Sequence, residues 1–464
     1  MILPFYFKRV SENRYLISNL LKKFQFVTKN QLEQLCENKI TEDLKQILTA
    51  NKFWIEDKDL DSAVEYYRKI NSGLFCGTTL HIFVVTLSCN LKCLYCQAEY
   101  KSNENTFMSF ETAERAVNFA LQSPEKNLYF EFQGGEPLLN FKTIKHIIEY
   151  ANKNCGNKNI KFSLVTNAQA MTEEILNYFA ENKVRITFSV DGIKFIHDKN
   201  RPTKDNSSNF EKVTYWLKKA QEIYGNKNFI RALPTVTKFT LTHAKEFIDF
   251  YCKLGVEEIS IRELSPFGRM SKNKFEIGYT AEEFLKFYRE CMNYLIELNL
   301  AGKTNLRESF SKMILQKISG KYTVNYPDLR SPCGAATGQI AYNWNGNIYT
   351  CDEGRMLANS GKNDFQLGNV YKDSYKDCLN SKTACAVCNA ACLESNFSCE
   401  SCVYNPVCGI CPVYSFFTQN DFVGVPIKQE RCEILRGIYE YLIEWLYSED
   451  AAKKNLCETW SNEP

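Results

Sequence analysis

No stretch of this sequence stays apolar long enough to cross a membrane, and neither sign of charge prevails. Lysine and arginine together number 57 against 54 acidic residues, so a formal net charge of +3 over 464 residues offers no basic face for nucleic acid. The opening MILPFYFKRVSENRYL turns charged at Lys8 and Arg9 after a short apolar run. It lacks the hydrophobic region of a signal peptide, and the chain is read as cytoplasmic.

What the chain has in excess is cysteine. Twenty cysteines without a secretory signal point to metal or catalytic use, because a reducing cytosol disfavours structural disulfides. Thirteen fall in two groups, Cys89 to Cys96 and Cys333 to Cys432. Cys36, Cys76, Cys155, Cys252, Cys291 and Cys457 are scattered and read as buried small hydrophobes, while Cys378 stands alone near the second group. The remaining composition, 44% apolar and 24% charged, is globular, and the length suggests about three units.

Along the chain, FYFKRV, RYLISN and FQFVT read as strands, and NQLEQLCE and EDLKQILTANKF as helices, within a small three-strand, three-helix pattern. From about Thr78 a strict repeat begins. The strands LHIFVVTLS, LYFEFQ, FSLVTN, RITFSV, IRALPTV and EEISIRE alternate with amphipathic helices such as ETAERAVNFALQS and HAKEFIDFYCKL. Six strand-helix units predict an α/β fold with parallel strands joined by right-handed crossovers, hence a partial (β/α)6 TIM-like barrel. Reactive groups in such folds collect at the carboxyl ends of the strands. The expected divisions are 1–76 for the first α+β unit, 77–300 for the barrel, 301–332 for a bridging helical segment, and 333–464 for a cysteine-rich unit ending in a helix. That last unit has little regular apolar pattern and is expected to owe its fold to bound metal.

Directly after the first barrel strand stands Cys89-Asn-Leu-Lys-Cys93-Leu-Tyr-Cys96, a CX3CX2C spacing. Structural zinc normally takes four protein ligands, so a lone triad without a nearby histidine fits it poorly. A [4Fe-4S] cube on three thiolates leaves one iron open to chelate a ligand. The second strand ends in Gln133-Gly134-Gly135-Glu136-Pro137, where glycines would let the backbone approach a ligand and Glu136 offers a carboxylate to a cation. Thr166, Asn167, Ser189 and Asp191 at the next strand ends suit a ribose or a carboxylate, and Arg201 suits either a ligand carboxylate or a surface acid. The triad, the aromatic Tyr95 before its last cysteine, and the GGEP turn together resemble the radical SAM superfamily. That resemblance implies that Cys89, Cys93 and Cys96 hold a [4Fe-4S] cluster binding S-adenosyl-L-methionine (SAM), with Tyr95, Gly134, Gly135, Glu136, Thr166, Asn167, Ser189, Asp191 and Arg201 on the SAM side. Reductive cleavage of SAM would then give a 5'-deoxyadenosyl radical able to abstract hydrogen from unactivated carbon.

The second group, Cys333, Cys351 and Cys399-Glu-Ser-Cys402-Val-Tyr-Asn-Pro-Val-Cys408-Gly-Ile-Cys411 followed by Cys432, resembles the SPASM extension with two auxiliary [4Fe-4S] clusters. The resemblance implies that Cys333, Cys351 and Cys411 serve one cluster, and Cys399, Cys402, Cys408 and Cys432 the other. Cys408 and Cys411 are separated by two residues where the family has three. The first set is a ligand short; Cys385, Cys388 and Cys392 would supply it, or the iron would stay open. Zinc is the alternative metal, since CX2C pairs suit it as well. Asp352 matches an acidic position where related sulfatase maturases are thought to accept a substrate proton, and the alternative is a turn cap.

From LPFYFKRV to CLESNFSCESCVYNPVCGICPVY the chain resembles the B-type radical SAM/SPASM maturase of the His-Xaa-Ser peptide system. The likeness implies a ribosomally made precursor peptide as substrate, a second radical SAM maturase as partner, and an electron donor such as flavodoxin or ferredoxin. The first 76 residues resemble winged-helix-like domains that grip a leader segment on a strand edge; the alternative is a structural cap. Other readings are a thioether-forming or formylglycine-forming maturase, a zinc-stabilised non-catalytic binding protein, and an iron-sulfur redox sensor, for which no DNA-binding basic face is present.

Overall fold

The computed structural model of the chain describes residues 1–98, 106–205, 207–319 and 326–463; part of the expected bridge, 320–325, lies outside them. Strands β1 (Phe5–Ser11), β2 (Arg14–Asn19) and β3 (Phe24–Val27) form an antiparallel meander. Helices Lys29–Cys36, Glu42–Ala50 and Leu60–Ile70 follow. Thr28 starts the first of them with a capping box closed by Gln31, so two otherwise orphaned amides are satisfied. Alternation along β2 sends Ile17 into a small core with Val27, Leu32, Leu35, Leu44, Leu48 and Phe53. Leu16 and Phe24 instead join the main core, which welds this unit to the rest of the protein.

Among the described residues the main sheet has ten strands. Seven run parallel in chain order: β4 (Leu80–Thr86), β5 (Asn127–Gly134), β6 (Asn159–Thr166), β7 (Arg185–Phe188), β8 (Ile230–Ala232), β9 (Glu258–Ile259) and β10 (Arg307–Glu308). The first six are the predicted barrel strands. β10 is a two-residue strand within the expected bridge, too short to register in any sequence periodicity.

On the other side of β4 the sheet continues through β11 (Gln339–Tyr342), β12 (Asn347–Tyr349) and β13 (Gln366–Asn369). β11 pairs parallel with β4 in register from Gln339 opposite Leu80 to Tyr342 opposite Phe83, and the last two strands are antiparallel. The cysteine-rich segment therefore does not lack a core: Ile340, Tyr342 and Ile348 are fully buried in the main one. Its apolar runs are only three or four residues long, which hid them from a reading by periodicity.

The layer between the sheet and its outer helices is aromatic. The Phe83 ring lies 4.9 Å from that of Phe130 and 5.1 Å from that of Tyr342, and Phe132 stacks 6.3 Å from Phe162. Helix Ala281–Leu300 packs its eight buried residues against helices Ala244–Leu254 and Glu430–Leu446. The expectation that the six scattered cysteines are buried holds only for Cys291 and Cys457; Cys36 is exposed and Cys76, Cys155 and Cys252 are half-buried. Cys378, left open above, is buried in the main core.

His81 Nδ1 and the Tyr342 hydroxyl lie 2.8 Å apart across the β4–β11 seam, both side chains fully buried. Burial pushes the imidazole pKa down to about 3, so this is a neutral hydrogen bond at physiological pH. Tyr342→Phe is expected to cost about 1–3 kcal/mol through the orphaned nitrogen, measured as a lowered midpoint of chemical unfolding.

Candidate active site

β4 delivers the Cys89–Cys96 loop to the carboxyl end of the sheet, where backbone hydrogen bonds hold it. Lys92 N–H donates to Pro202 O at 2.8 Å, Leu94 N–H to Asn200 O at 2.9 Å, and Cys96 O accepts from Arg269 N–H at 3.0 Å. Gly268 makes the last contact possible: its φ is +63°, and a Cβ there would lie 2.4 Å from Cys96 O. Cys89, Cys93 and Cys96 line one cavity of about 550 Å³. Burial, then the neighbouring Cys93, raises the Cys89 thiol well above its ordinary range. Burial pushes Cys93 up to about 12 against the opposing pull of Arg201. Thiols so disposed are protonated without metal, and metal binding must release their protons.

Of the residues expected on the SAM side, Tyr95, Gly134, Gly135, Glu136, Thr166, Asn167, Ser189 and Arg201 line this cavity. The glycines serve a purpose the sequence reading did not assign. A Cβ on Gly134 would lie 2.0 Å from Thr86 O, and one on Gly135 2.2 Å from Ser88 O, so they admit the turn against the end of β4. Gly135 and Glu136 N–H donate to Thr86 O and Ser88 O, both at 2.9 Å. The Glu136 carboxylate accepts from Thr166 Oγ1 at 2.6 Å, Asn167 N–H at 2.8 Å and Leu138 N–H at 3.1 Å. A carboxylate has roughly four acceptor positions, which leaves room for one ligand donor. Asn167 Nδ2 reaches Asn90 Oδ1 in the cysteine loop at 2.9 Å.

Asp191 does not line the cavity. It is fully buried and binds Arg201 with both oxygens, at 2.9 and 3.0 Å. It also accepts from the Tyr95 hydroxyl at 2.6 Å and from Thr235 N–H at 3.0 Å. The acid that Arg201 meets is thus neither a ligand nor a surface residue, and its short bidentate geometry fixes the guanidinium behind Tyr95, 5.3 Å from the ring centre.

The catalytic loop, the GGEP turn and the strand-end hydroxyl and amide groups converge on one cavity, and residues 83–251 match the family model described as the radical SAM superfamily. An uncharacterised protein of Methanocaldococcus jannaschii is 33% identical over 216 residues, 46% of this chain and 72% of the relative.

The chain belongs to the radical SAM superfamily.

A cysteine-type anaerobic sulfatase-maturating enzyme of Clostridium perfringens is 25% identical over 336 residues, covering 69% of this chain and 84% of the relative. The crystal structure of Streptococcus suis SuiB bound to precursor peptide SuiA superposes with a TM-score of 0.55 at 15% identity, covering 92% of this chain and 98% of that one.

Radical SAM enzymes use a [4Fe-4S] cluster and SAM. Among the described residues no three His, Cys, Asp or Glu side chains close on a single point. A cubane takes each thiolate on a different iron, so thiols spread around a cavity wall suit it.

The second cysteine group divides in two. Cys399, Cys402, Cys408 and Cys432 all line a further cavity of about 260 Å³, which Cys411 also borders; burial pushes Cys399 up to about 12 and Cys432 to about 11. Cys333, Cys351 and Cys411 share a separate apolar cluster with Phe267, Phe365 and Val413. The short Cys408–Cys411 spacing is absorbed by a turn: Cys411 caps helix Pro412–Gln419 and joins the other group. Cys385, Cys388 and Cys392 lie on or just after helix Lys382–Ala390, and the charges felt by Cys388 are those of Cys392, Cys385 and Arg330.

Asp352 follows Cys351, which caps helix Asp352–Asn359. It lines the large cavity with its carboxylate ion-paired to the buried Arg355. Sequence reasoning missed Asp328, Glu353, Arg262 and Arg431, which line the same cavity. Burial first, then Asp328, pushes Glu353 up to about 7. Their signal was adjacency: Glu353 stands two residues after Cys351 and Arg431 one before Cys432.

Asp191→Ala strands a buried guanidinium, and losses of this kind cost about 3–5 kcal/mol. The variant is expected to unfold earlier and to retain less iron on the Cys89–Cys96 loop, measured by metal analysis after anaerobic reconstitution.

Proposed function

We propose that the chain is a radical SAM enzyme that modifies a peptide or protein. Cys89, Cys93 and Cys96 hold the SAM-binding cluster, and the two sets of the second group hold auxiliary clusters. The observation that carries this reading is the single cavity of about 550 Å³ that runs from the cysteine loop and Glu136 to Asp328, Asp352 and Glu353 beside the second group. When bound, the cluster supplies one electron to SAM, whose cleavage gives a radical able to abstract hydrogen. The chain's own residues orient and shield. Glu136 offers its remaining acceptor position to the SAM ammonium, Thr166, Asn167 and Ser189 face the ligand, and Arg201 fixes Tyr95 and the loop. Asp352, which lines the same cavity while ion-paired to Arg355, would accept a proton from substrate.

The far wall carries Arg231, Arg262 and Arg431 among Glu131, Glu258 and Glu263. Mixed charge of this kind favours a polar, extended substrate such as a peptide segment. The sulfatase-maturating relative and the SuiB complex with a precursor peptide support that class. β1 is one edge of its sheet and exposes Phe7 and Val10, which suits addition of a leader strand. The finer reading is a ribosomally made precursor of His-Xaa-Ser type, handled with a second radical SAM maturase and a flavodoxin or ferredoxin as donor. It rests on the overall resemblance of the sequence. The thiolate clusters need a reducing compartment, which supports a cytoplasmic location.

The test is anaerobic incubation of the reconstituted protein with SAM, reductant and candidate precursor peptides, followed by mass analysis. A peptide mass change is expected; accumulation of 5'-deoxyadenosine with every peptide unchanged would remove the peptide reading. Cys93→Ala is expected to abolish SAM cleavage, whereas Cys402→Ala retains some uncoupled cleavage and loses product. Equal loss of both activities in the second variant would contradict separate roles.

Glu136 adds a pH signature. Burial chiefly pushes its pKa up to about 7, and only the ionised form attracts an ammonium. SAM affinity, measured by equilibrium binding, is expected to rise between about pH 6 and about pH 8, a window bracketing that pKa, and Glu136→Gln to flatten the rise.

A further inference from the structure

Lys92 and Leu94 belong to the Cys89–Cys96 loop but do not line its cavity; they form its outer side. Three segments are tied to that side. Helix Arg269–Ile277 crosses it, with Asn273 Nδ2 donating to Leu94 O at 2.6 Å and Arg269 N–H to Cys96 O at 3.0 Å. At the end of this helix Lys238 N–H donates to Ile277 O at 2.9 Å, and the Phe239 and Leu94 side chains pack against the small cluster of Tyr95, Met270 and Ile277. Segment 198–205 closes the other flank. Leu94 N–H donates to Asn200 O at 2.9 Å and the Lys92 ammonium to Lys204 O at 3.4 Å, while Lys199 sits 3.5 Å over the Phe239 ring.

This face is basic in a chain whose charges otherwise balance. Segments 92–94, 198–205, 238–239 and 269–277 hold seven lysines and arginines besides the internally paired Arg201, against Asp198, Asp205 and Glu276. Lys92, Lys199, Lys204, Lys238 and Lys274 are exposed. Asp198 is offset by Lys194 at 3.6 Å, and Glu430 approaches Lys274 only to 4.0 Å between two exposed side chains. On the crest of the helix Phe275 is 100% exposed, turned away from the buried Met270 and Ile277. A solitary exposed ring is ordinary. A ring with a one-signed charged rim around it has the make-up of a protein contact, an aromatic anchor within a polar border.

The loop beneath says which protein. A helix is about 10 Å thick, so a partner seated on Phe275 stands about one helix diameter from the backbone that carries the three cysteines. Electron transfer needs such closeness, and from this side it does not obstruct the cavity.

We infer that this face docks a small acidic one-electron carrier protein, of the flavodoxin or ferredoxin class, which reduces the SAM-binding cluster directly and not by way of the second cysteine group. The inference deepens the proposed function and rests on its reading that Cys89, Cys93 and Cys96 hold that cluster. One electron leaves the reduced carrier, which is oxidised, and enters the cluster, which is reduced; no bond forms and no proton moves. The lysines steer an acidic carrier before contact, which makes association sensitive to salt.

The test uses the full chain, reconstituted anaerobically, with a flavodoxin and a ferredoxin as probes. Calorimetry at low and high salt measures binding, stopped flow with reduced carrier measures cluster reduction, and dithionite-driven SAM cleavage gives the basal activity. The parent protein is expected to bind a carrier with an affinity that falls as salt rises. Lys238→Glu combined with Lys274→Glu is expected to weaken binding about tenfold, and Phe275→Ser several-fold, with carrier-driven reduction slowed alike and dithionite-driven cleavage unchanged. Phe397→Ser, at an 89% exposed ring beside the second group, is expected to change neither. Absence of salt-sensitive binding by both carriers, full affinity in the Lys238/Lys274 and Phe275 variants, loss confined to Phe397→Ser, or an RNA oligomer bound more tightly than either carrier would overturn the assignment. The cluster itself is tested apart: no electron paramagnetic resonance signal after dithionite would remove the cluster reading, whatever the carriers do.

Discussion

The buried pair of Asp191 and Arg201 is the interaction on which the rest of the site depends. Arg201 belongs to the segment whose backbone carbonyls at Asn200 and Pro202 receive Leu94 and Lys92, and Asp191 fixes that segment to the end of β7 while also holding Tyr95. The loop buries Leu91 and Tyr95, the latter in a small apolar cluster with Met270 and Ile277, but this contact alone does not orient its three thiols. Its geometry is imposed from behind by a doubly hydrogen-bonded ion pair, which tolerates burial because its donors and acceptors are matched. The GGEP turn acts from the other side, with two glycines pressed against the Thr86 and Ser88 carbonyls.

Burial has a second effect on the cysteines. Dehydration raises the thiols of Cys89, Cys333 and Cys351 well above their usual range, so each site opposes its own ionisation until a positive iron core is present. Metal loading and proton release are thereby linked, and part of the cost of an apolar site is recovered as cluster binding.

Much of this was legible in advance. The alternation of strands and helices from Thr78 onward announced the six barrel strands, since both faces of a parallel sheet are covered and its strands read as apolar runs. The CX3CX2C and GGEP spacings placed the site at the strand ends. Less legible was what each residue does once there. Asp191 and Ser189 look equivalent as strand-end polar groups, yet one turns into the wall and the other into the cavity, a difference set by tertiary packing. Glu353 and Asp328 were invisible because an isolated acidic residue outside any periodic element is unremarkable until the fold brings it to the cavity. β11 to β13 escaped because three or four residues cannot establish a period.

β11 lies beside β4 in the same hydrogen-bonded sheet. The strand that leads to the Cys89–Cys96 loop and β12, which leads to Cys351, are thus held in one ladder with β11 between them. Their separation is set when the chain folds and does not vary during turnover, which keeps any electron-tunnelling distance between the two regions constant. Opening the molecule to admit a macromolecular guest must then come from side chains and loops around the cavity mouth, and not from a hinge between the two cysteine-bearing halves.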